Sequence, residues 1–318
     1  MKVTEHLERA SNPLVSIEII PPKRGSSITQ ISNAIESIRG LNPPFIDVTS
    51  HAAEIIWEQT KDGKFAKKVK RKRPGTIGLC AAIKYKYDLD PVPHLLCGGF
   101  TREETEDALI ELNYLGIENI LAIRGDKRNP RPVPKDRSEN RYALDLVHQI
   151  QEMNRGEYLD VLENGAKTDF CVGVACYPEK HFECPNHKMG INILKQKAEA
   201  GADYAVTQMF YDTSKYIEFV KQAREAGIDI PIIPGLKIMT SKRHLSRLPS
   251  IFYIDIPQEL VGRMYAAKTK EEERQVGIEW AYKQAMELLE FGVPCLHFYI
   301  MQRTGSFLKL MDRLKKQL

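Results

Sequence analysis

The sequence has no apolar run long enough to span a membrane. Its first residues, Met1 to Asn12, are polar and charged and do not read as a signal peptide. It has no CxxC pair. Six cysteines stand singly at positions 80, 97, 171, 176, 184 and 295, several of them inside apolar strand-like runs. That usage fits reduced, buried thiols in a cytoplasmic protein and argues against a metal site. No large excess of either charge is present: the formal balance is +4 over 318 residues, too weak to imply nucleic acid. Neither the GxGxxG nor the GxxxxGKS/T fingerprint occurs, which counts against a doubly wound nucleotide-binding sheet. No repeat and no linker divides the chain.

What remains is a hydrophobic content of 42%, ample for a packed core, in a chain long enough for one large α/β domain. Apolar, β-branched runs alternate with amphipathic helical segments. The strand candidates are Leu14–Ile20, Phe45–Thr49, Thr76–Ala82, Ile120–Ile123, Phe170–Ala175, Tyr204–Thr207, Ile230–Ile233 and Cys295–Tyr299. Between them, Thr101 caps a helix whose first turn carries Glu103 and Glu104 and which Gly116 closes. Further helices end at Gly201, Gly227 and Gly292. Eightfold alternation of this kind predicts a single-domain (β/α)8 TIM barrel. The basic stretch Lys61 to Pro74 reads as a solvated helix end before the third strand in preference to a nucleic-acid patch. The proline- and charge-rich stretch Lys127 to Arg137 reads as a loop at the catalytic face.

The strands end in polar residues. Ile120-Leu121-Ala122-Ile123 stops in Arg124-Gly125-Asp126: a cation for an anionic or planar group, a glycine for close backbone approach, and a carboxylate. Asp47-Val48-Thr49 leads to His51, and Ala205-Val206-Thr207 to Gln208. Glu18 sits between Ile17 and Ile19 in an apolar strand, where a carboxylate must be paired, neutral or turned to a site. In a parallel barrel all these ends converge on one face.

The run Ser16-Ile17-Glu18-Ile19-Ile20-Pro21-Pro22 resembles the first-strand signature of the methylenetetrahydrofolate reductases. Val48-Thr49-Ser50-His51, Pro93-His94-Leu95, Arg124-Gly125-Asp126 and Tyr177-Pro178-Glu179-Lys180-His181 follow in that family's order. So do Ala200-Gly201-Ala202-Asp203, Thr207-Gln208-Met209-Phe210, Ile233-Pro234-Gly235 and His297-Phe298-Tyr299, so the likeness runs from about Glu18 to Arg303. Each motif is weak alone; the ordered set is specific.

The resemblance implies a barrel that binds FAD non-covalently, takes hydride from NADH or NADPH, and then reduces methylenetetrahydrofolate to 5-methyltetrahydrofolate for methionine synthesis in one-carbon metabolism. It implies Glu18 as the general acid that opens the folate ring, Asp126 as the carboxylate beside flavin and pterin, and Gln208 as an amide serving both folate and nicotinamide. Thr49, Ser50, Ala52, His94, Arg124, Gly125, Asp126, Ala143, Tyr177, His181 and Lys197 match cofactor-contacting positions, with Thr49 near the nicotinamide, and Arg303 matches a folate-side position. The partners implied are the small molecules folate and nicotinamide, with no nucleic acid and no membrane; a homo-oligomer and an electron-delivering subunit stay open. NADH is favoured by analogy only.

The chain departs from the family pattern at Ser50, Gly190, Lys242 and Gln302, where an aromatic, an acid, an aromatic and an asparagine are usual. It ends at Leu318, soon after the barrel, so the expectation is a catalytic barrel without the regulatory domain of eukaryotic relatives. His297, on an apolar strand, reads as a satisfied core histidine. The rival readings are a flavin-free pterin enzyme such as a methyltransferase and, more remotely, an RNA-binding barrel using Lys67 to Arg73.

Overall fold

The computed structural model describes residues 1–125 and 132–318. The strands are β1 (Leu14–Ile19), β2 (Phe45–Val48), β3 (Glu54–Gln59), β4 (Phe65–Lys70), β5 (Asp90–Leu96), β6 (Asn119–Ile123), β7 (Cys171–Cys176), β8 (Tyr204–Thr207), β9 (Ile232–Ile233), β10 (Gly235–Leu236) and β11 (Cys295–Met301). The helices are α1 (Val3–Arg9), α2 (Thr29–Ile38), α3 (Thr76–Tyr87), α4 (Arg102–Tyr114), α5 (Ala143–Asn154), α6 (His187–Glu199), α7 (Thr213–Glu225), α8 (His244–Phe252), α9 (Gln258–Ala266), α10 (Lys270–Phe291) and α11 (Gly305–Leu314).

Nine strands form one sheet in the order β10-β11-β1-β2-β5-β6-β7-β8-β9, every neighbour parallel. The two outermost members, β9 and β10, are separated only by Pro234. They are one stave, split where proline has no N–H to give, and the carbonyl of Pro234 still accepts the His297 N–H at 3.0 Å. The sheet therefore curls into a nearly closed ring of eight staves with helices outside, the expected TIM-barrel fold.

Strand alternation then sorts the apolar residues. Ile17, Ile19, Ile46, Val48, Ile120, Val172, Ala205 and Phe298 face outward into the large core under the helices. Phe45, Val92, Leu121, Cys171, Tyr204 and Cys295 fill the barrel interior, with Val3 of α1 closing its floor. All six cysteines are buried and unpaired. Burial pushes the thiols of Cys97, Cys176 and Cys295 up to about 12, so they stay protonated and inert.

Two expectations are corrected. Residues 76–82 are not the third strand but the first half of α3, where Leu79, Cys80, Ile83 and Tyr87 are buried at helical spacing. The third stave is β5, which carries Pro91 and Pro93 and so reads poorly as a strand. It pairs with β2 through Asp90 to Pro93 and with β6 only from His94 onward, so both prolines lie outside the register shared with β6. The basic stretch 61–74 is not a helix end either. Its middle, Phe65–Lys70, is β4, which pairs antiparallel with β3. Lys68 and Lys70 pair with Glu58, and Lys72, just past the strand, with Glu54.

Gly235 is required by a close approach. A Cβ there would strike the carbonyl oxygen of Thr207 and the Tyr299 hydroxyl, which bond each other at 2.5 Å. Gly262, inside α9, has open space where a Cβ would go. Gly235→Ala should lower unfolding stability by about 1–3 kcal/mol through overpacking. Gly262→Ala should raise it by roughly 0.5–1 kcal/mol through helix propensity. Urea unfolding of the two variants checks both signs.

Candidate active site

Above the apolar floor the barrel turns polar. Ser16, Asp47, His94 and His297 lie in one buried layer, each at most 3% exposed. A charge there needs a partner within the layer. His94 Nε2 lies 3.2 Å from Asp47 Oδ2 and 3.8 Å from Glu18 Oε2. Register explains the meeting: Glu18 of β1 and Asp47 of β2 are Cα partners, and Asp47 is in turn the partner of Val92, two residues before His94. Burial alone would depress the His94 pKa. The Asp47 hydrogen bond and the charges of Glu18 and Asp47 outweigh it and leave the imidazole above its ordinary value. Burial lowers the pKa of His297, whose Nδ1 is bonded to Ser16 Oγ at 2.8 Å. It is the satisfied core histidine expected.

The rim follows at the C-terminal strand ends. Glu18, its side chain 13% exposed, stands at the edge of the polar layer. Thr49, Ser50 and Ala52 lie in the segment after β2, and Thr49 Oγ1 is buried with no partner among the described residues. Gln208 follows β8. Its Oε1 accepts the Met209 N–H at 2.9 Å, leaving its amide donors for another acceptor. Arg124 and Gly125 follow β6. The guanidinium of Arg124 lies over the Tyr142 ring at 4.9 Å and pairs with Glu183. Ala143, at the first position of α5, sits beside it. Tyr177 and His181 follow β7 and open an aromatic series, with rings 4.6 Å apart, then His181–Phe182 at 4.5 Å and Phe182–Tyr253 at 4.9 Å. Arg303, after β11, is exposed. Asp126 lies outside the described residues.

Lys197 lies just beneath this rim, close enough to Cys97 to act on its thiol alongside Arg124. Its ammonium reaches from α6 to the carbonyl of Ala175 at 2.9 Å and is buried, which lowers its pKa. The departures from the family pattern are also placed. Gln302 Nε2 donates to the Ile20 carbonyl at 2.9 Å, tying the last strand to the first. Lys242 Nζ donates to the carbonyls of Ala267 at 2.6 Å and Tyr265 at 3.3 Å. That lysine closes the end of α9 and leaves the mouth. Gly190 lies within α6, and Ser50 Oγ is 3.5 Å from Arg71 Nη2.

Two site residues escaped the sequence reading. Asp47 carries the signal that singled out Glu18, a carboxylate inside an apolar strand run. Lys237, just past β10, had no such signal. Its largely buried ammonium donates to the Tyr299 carbonyl at 3.2 Å, and burial lowers its pKa against the opposing charge of Glu18.

Among the described residues no cluster of His, Cys, Asp and Glu is placed to hold a metal, and no helix is long and apolar enough to cross a membrane. Fold and mouth thus define a TIM barrel whose strand ends carry acid, imidazole, amide and guanidinium groups around one opening. The family model for methylenetetrahydrofolate reductase matches residues 2–315, and the chain belongs to that family. It is 31% identical over 319 residues to methylenetetrahydrofolate reductase 1 of Schizosaccharomyces pombe, covering 99% of this chain and 48% of that protein. It is 28% identical over 291 residues to the 5,10-methylenetetrahydrofolate reductase of Escherichia coli K12, covering 91% of this chain and 86% of that one. The chain thus spans about half the length of the yeast relative. An uncharacterized protein from Clostridium thermocellum, described as binding two copies of 5-methyl-5,6,7,8-tetrahydrofolic acid, shares the fold at TM-score 0.62 and 14% identity, with 99% of this chain and 100% of that one covered.

Glu179, between Tyr177 and His181, ties this rim to the loop after α8 by accepting the Asp255 N–H. Burial raises its pKa to about 7. The folded state therefore holds a proton there that the unfolded chain releases above the ordinary carboxyl value. Its contribution to stability should fall as pH rises from roughly 4.5 to 7. Urea midpoints measured across that window should flatten in Glu179→Gln relative to the parent.

Proposed function

We propose that this chain reduces 5,10-methylenetetrahydrofolate to 5-methyltetrahydrofolate, with NADH or NADPH as reductant and non-covalent FAD as carrier, nicotinamide leaving before folate enters. Such an enzyme would supply methyl groups for methionine synthesis in the cytoplasm, a compartment with which six unpaired thiols accord. The observation that carries the reading is the pairing at one mouth of an enclosed carboxyl, Glu18, with an amide, Gln208, that has donors to spare. Family membership supports it, as does the tetrahydrofolate-binding barrel of the same fold.

The residues present fit a flavin dinucleotide. Arg124 lies beside the N-terminus of α5, a pairing suited to a diphosphate, which would take the place Glu183 now holds on the guanidinium. Thr49 Oγ1 is a buried hydroxyl still lacking a partner among the described residues. Tyr177 and His181 offer ring surface on the same rim. Bound there, FAD supplies the hydride chemistry.

The chain's own residues do the rest. Glu18 gives a proton to the folate nitrogen released when the five-membered ring opens. Gln208 presents an amide that can donate and accept, which suits a pterin and a nicotinamide in turn. Arg303, exposed beyond the last strand, meets the anionic end of the folate. Asp126 is assigned the cationic folate intermediate, whose charge a neighbouring carboxylate favours.

The protein should purify with FAD or take it up; a colourless protein that binds no added FAD refutes the reading. Glu18→Gln keeps size and hydrogen bonding but has no acid proton to give. Its flavin should still be reduced by NADH at a near-normal rate, while reoxidation by methylenetetrahydrofolate slows by roughly a hundredfold or more. Stopped-flow absorbance reads the two steps separately. Equal loss in both would make Glu18 a structural residue.

A further inference from the structure

We propose that Lys237, His244, Arg247 and Arg303 form a subsite for the glutamyl carboxylates of the folate, with Lys237 as its inner, specificity-determining residue. The inference rests on the reductase reading above and extends it to the distal end of the substrate.

The side chains meet where the last staves end. Lys237 follows β10 and Arg303 follows β11, strands that pair in parallel. The Lys237 ammonium crosses between them and donates to the Tyr299 carbonyl at 3.2 Å. His244 and Arg247 lie at the start of α8. The charges of Lys237, Arg247 and Arg303 all act on His244, and that of Arg303 acts on Lys237. Glu18 acts on Lys237 from the barrel side. The set therefore runs outward, from beside the acid assigned to the pterin to Arg247, exposed on α8.

These groups have donors to give. Lys237 makes that one hydrogen bond among the described residues, so further N–H groups of its ammonium stay available. His244 Nδ1 accepts the Thr240 N–H at 3.4 Å, which puts the imidazole proton on Nε2. Burial and the surrounding cations lower the His244 pKa, so it serves as a neutral N–H donor. The guanidinium groups of Arg247 and Arg303 have no hydrogen-bond or ion-pair partner among the described residues. The carboxylates acting on the set are Glu18, at its inner end, and Glu273, which also accepts the Lys242 N–H at 3.1 Å. Neither makes an ion pair with any of the four among the described residues. Arg124, across the rim, has Glu183 instead. Cations gathered without acids between them repel one another and draw an anion to the place they surround.

Folate brings such an anion. Its carboxylates stand at the end remote from the pterin, joined to it by the p-aminobenzoyl group. With the pterin beside Glu18 and Gln208, that group leads outward along the set. The ammonium of Lys237 suits the nearer carboxylate as a compact charge, and the planar guanidinium groups of Arg303 and Arg247 suit the farther one through paired N–H donors.

The test uses the FAD-loaded enzyme, reduced anaerobically with NADH. It is reoxidised with methylenetetrahydrofolate and, separately, with the analogue whose glutamyl group is replaced by a methylamide. Lys237→Met removes the charge and keeps the stem. The methylenetetrahydrofolate concentration that half-saturates reoxidation should rise about tenfold or more, while the limiting rate changes far less. Lys237→Arg should restore most of the loss. Arg247→Gln, at an exposed position, should shift half-saturation the same way by a smaller factor. With the methylamide, parent and variants should half-saturate alike.

An effect routed through Glu18, or through the prop on the Tyr299 carbonyl, would appear with both substrates. Equal shifts for both would therefore overturn the subsite, as would unchanged half-saturation in Lys237→Met. Weaker flavin reduction by NADPH in the variants, with folate unaffected, would assign these cations to the phosphate of the reductant and overturn it too. Each of those results leaves the reductase reading standing. Failure of methylenetetrahydrofolate to reoxidise the parent enzyme at all would overturn that reading, and the subsite with it.

Discussion

A carboxylate locked inside a barrel governs the rest of the site. Asp47 sits where water does not reach, and an ion there is tolerable only beside a counter-ion held at fixed distance. That counter-ion is His94, at 3.2 Å. Holding it there requires β1, β2 and β5 to run side by side in one register, and the closed parallel ring provides this. Loosening any of the three strands would strand a charge, so the barrel's integrity and the ionisation of its mouth are one constraint.

Groups of both signs ring the mouth. Carboxylate and imidazole come from β1, β2 and β5, with Arg71 bonded to the His51 carbonyl after β2; ammonium and guanidinium form a cationic side in the segments after β10 and β11, with another guanidinium after β6. The cationic side is propped from behind by a separate small core in which Met239, Leu248, Leu260, Met264 and Trp280 pack together beneath α8, α9 and α10. Trp280 Nε1 bonds the Tyr211 carbonyl at 2.9 Å and Gln284 Nε2 the Phe210 carbonyl at 3.0 Å, so α10 grips the segment that follows β8 and carries Gln208. Lys242, where the family usually has an aromatic, belongs to this scaffold: its ammonium fastens α9 and cannot stack on a ligand. The aromatic surface is instead the series that runs from Tyr177, after β7, to Tyr253, at the end of α8.

Much of the architecture was legible because it is local. Apolar runs of strand length, a capped helix at Thr101 and helix-closing glycines each follow from a few neighbouring residues, and their alternation is a barrel's signature. The capping box at Thr101 and Glu104 and the end of α10 at Gly292 agree with that reading. Where local reading failed, a non-local partner was decisive. The stretch from Thr76 is β-branched and apolar at its start, yet its buried residues serve a helix packed on the sheet. The strand it was mistaken for contains two prolines, tolerated because of which neighbour each half of β5 pairs with.

By itself the sequence determined the kinds of groups available and the strand ends that carry them: Glu18 in an apolar strand, the Arg124-Gly125 turn, Gln208 after Thr207. Side-chain chemistry and strand period are properties of a short segment. Which of those groups meet was decided only by the tertiary structure. Asp47 and His94 are 47 positions apart in sequence, and neither reveals the other until ring closure sets the stagger between their strands. Lys197 is brought by its helix to the carbonyl of Ala175, 22 positions earlier in the chain, a partner its own segment does not reveal. An ionisable group's role depends on what surrounds it at a few ångströms, and in a closed barrel those surroundings come from distant parts of the chain.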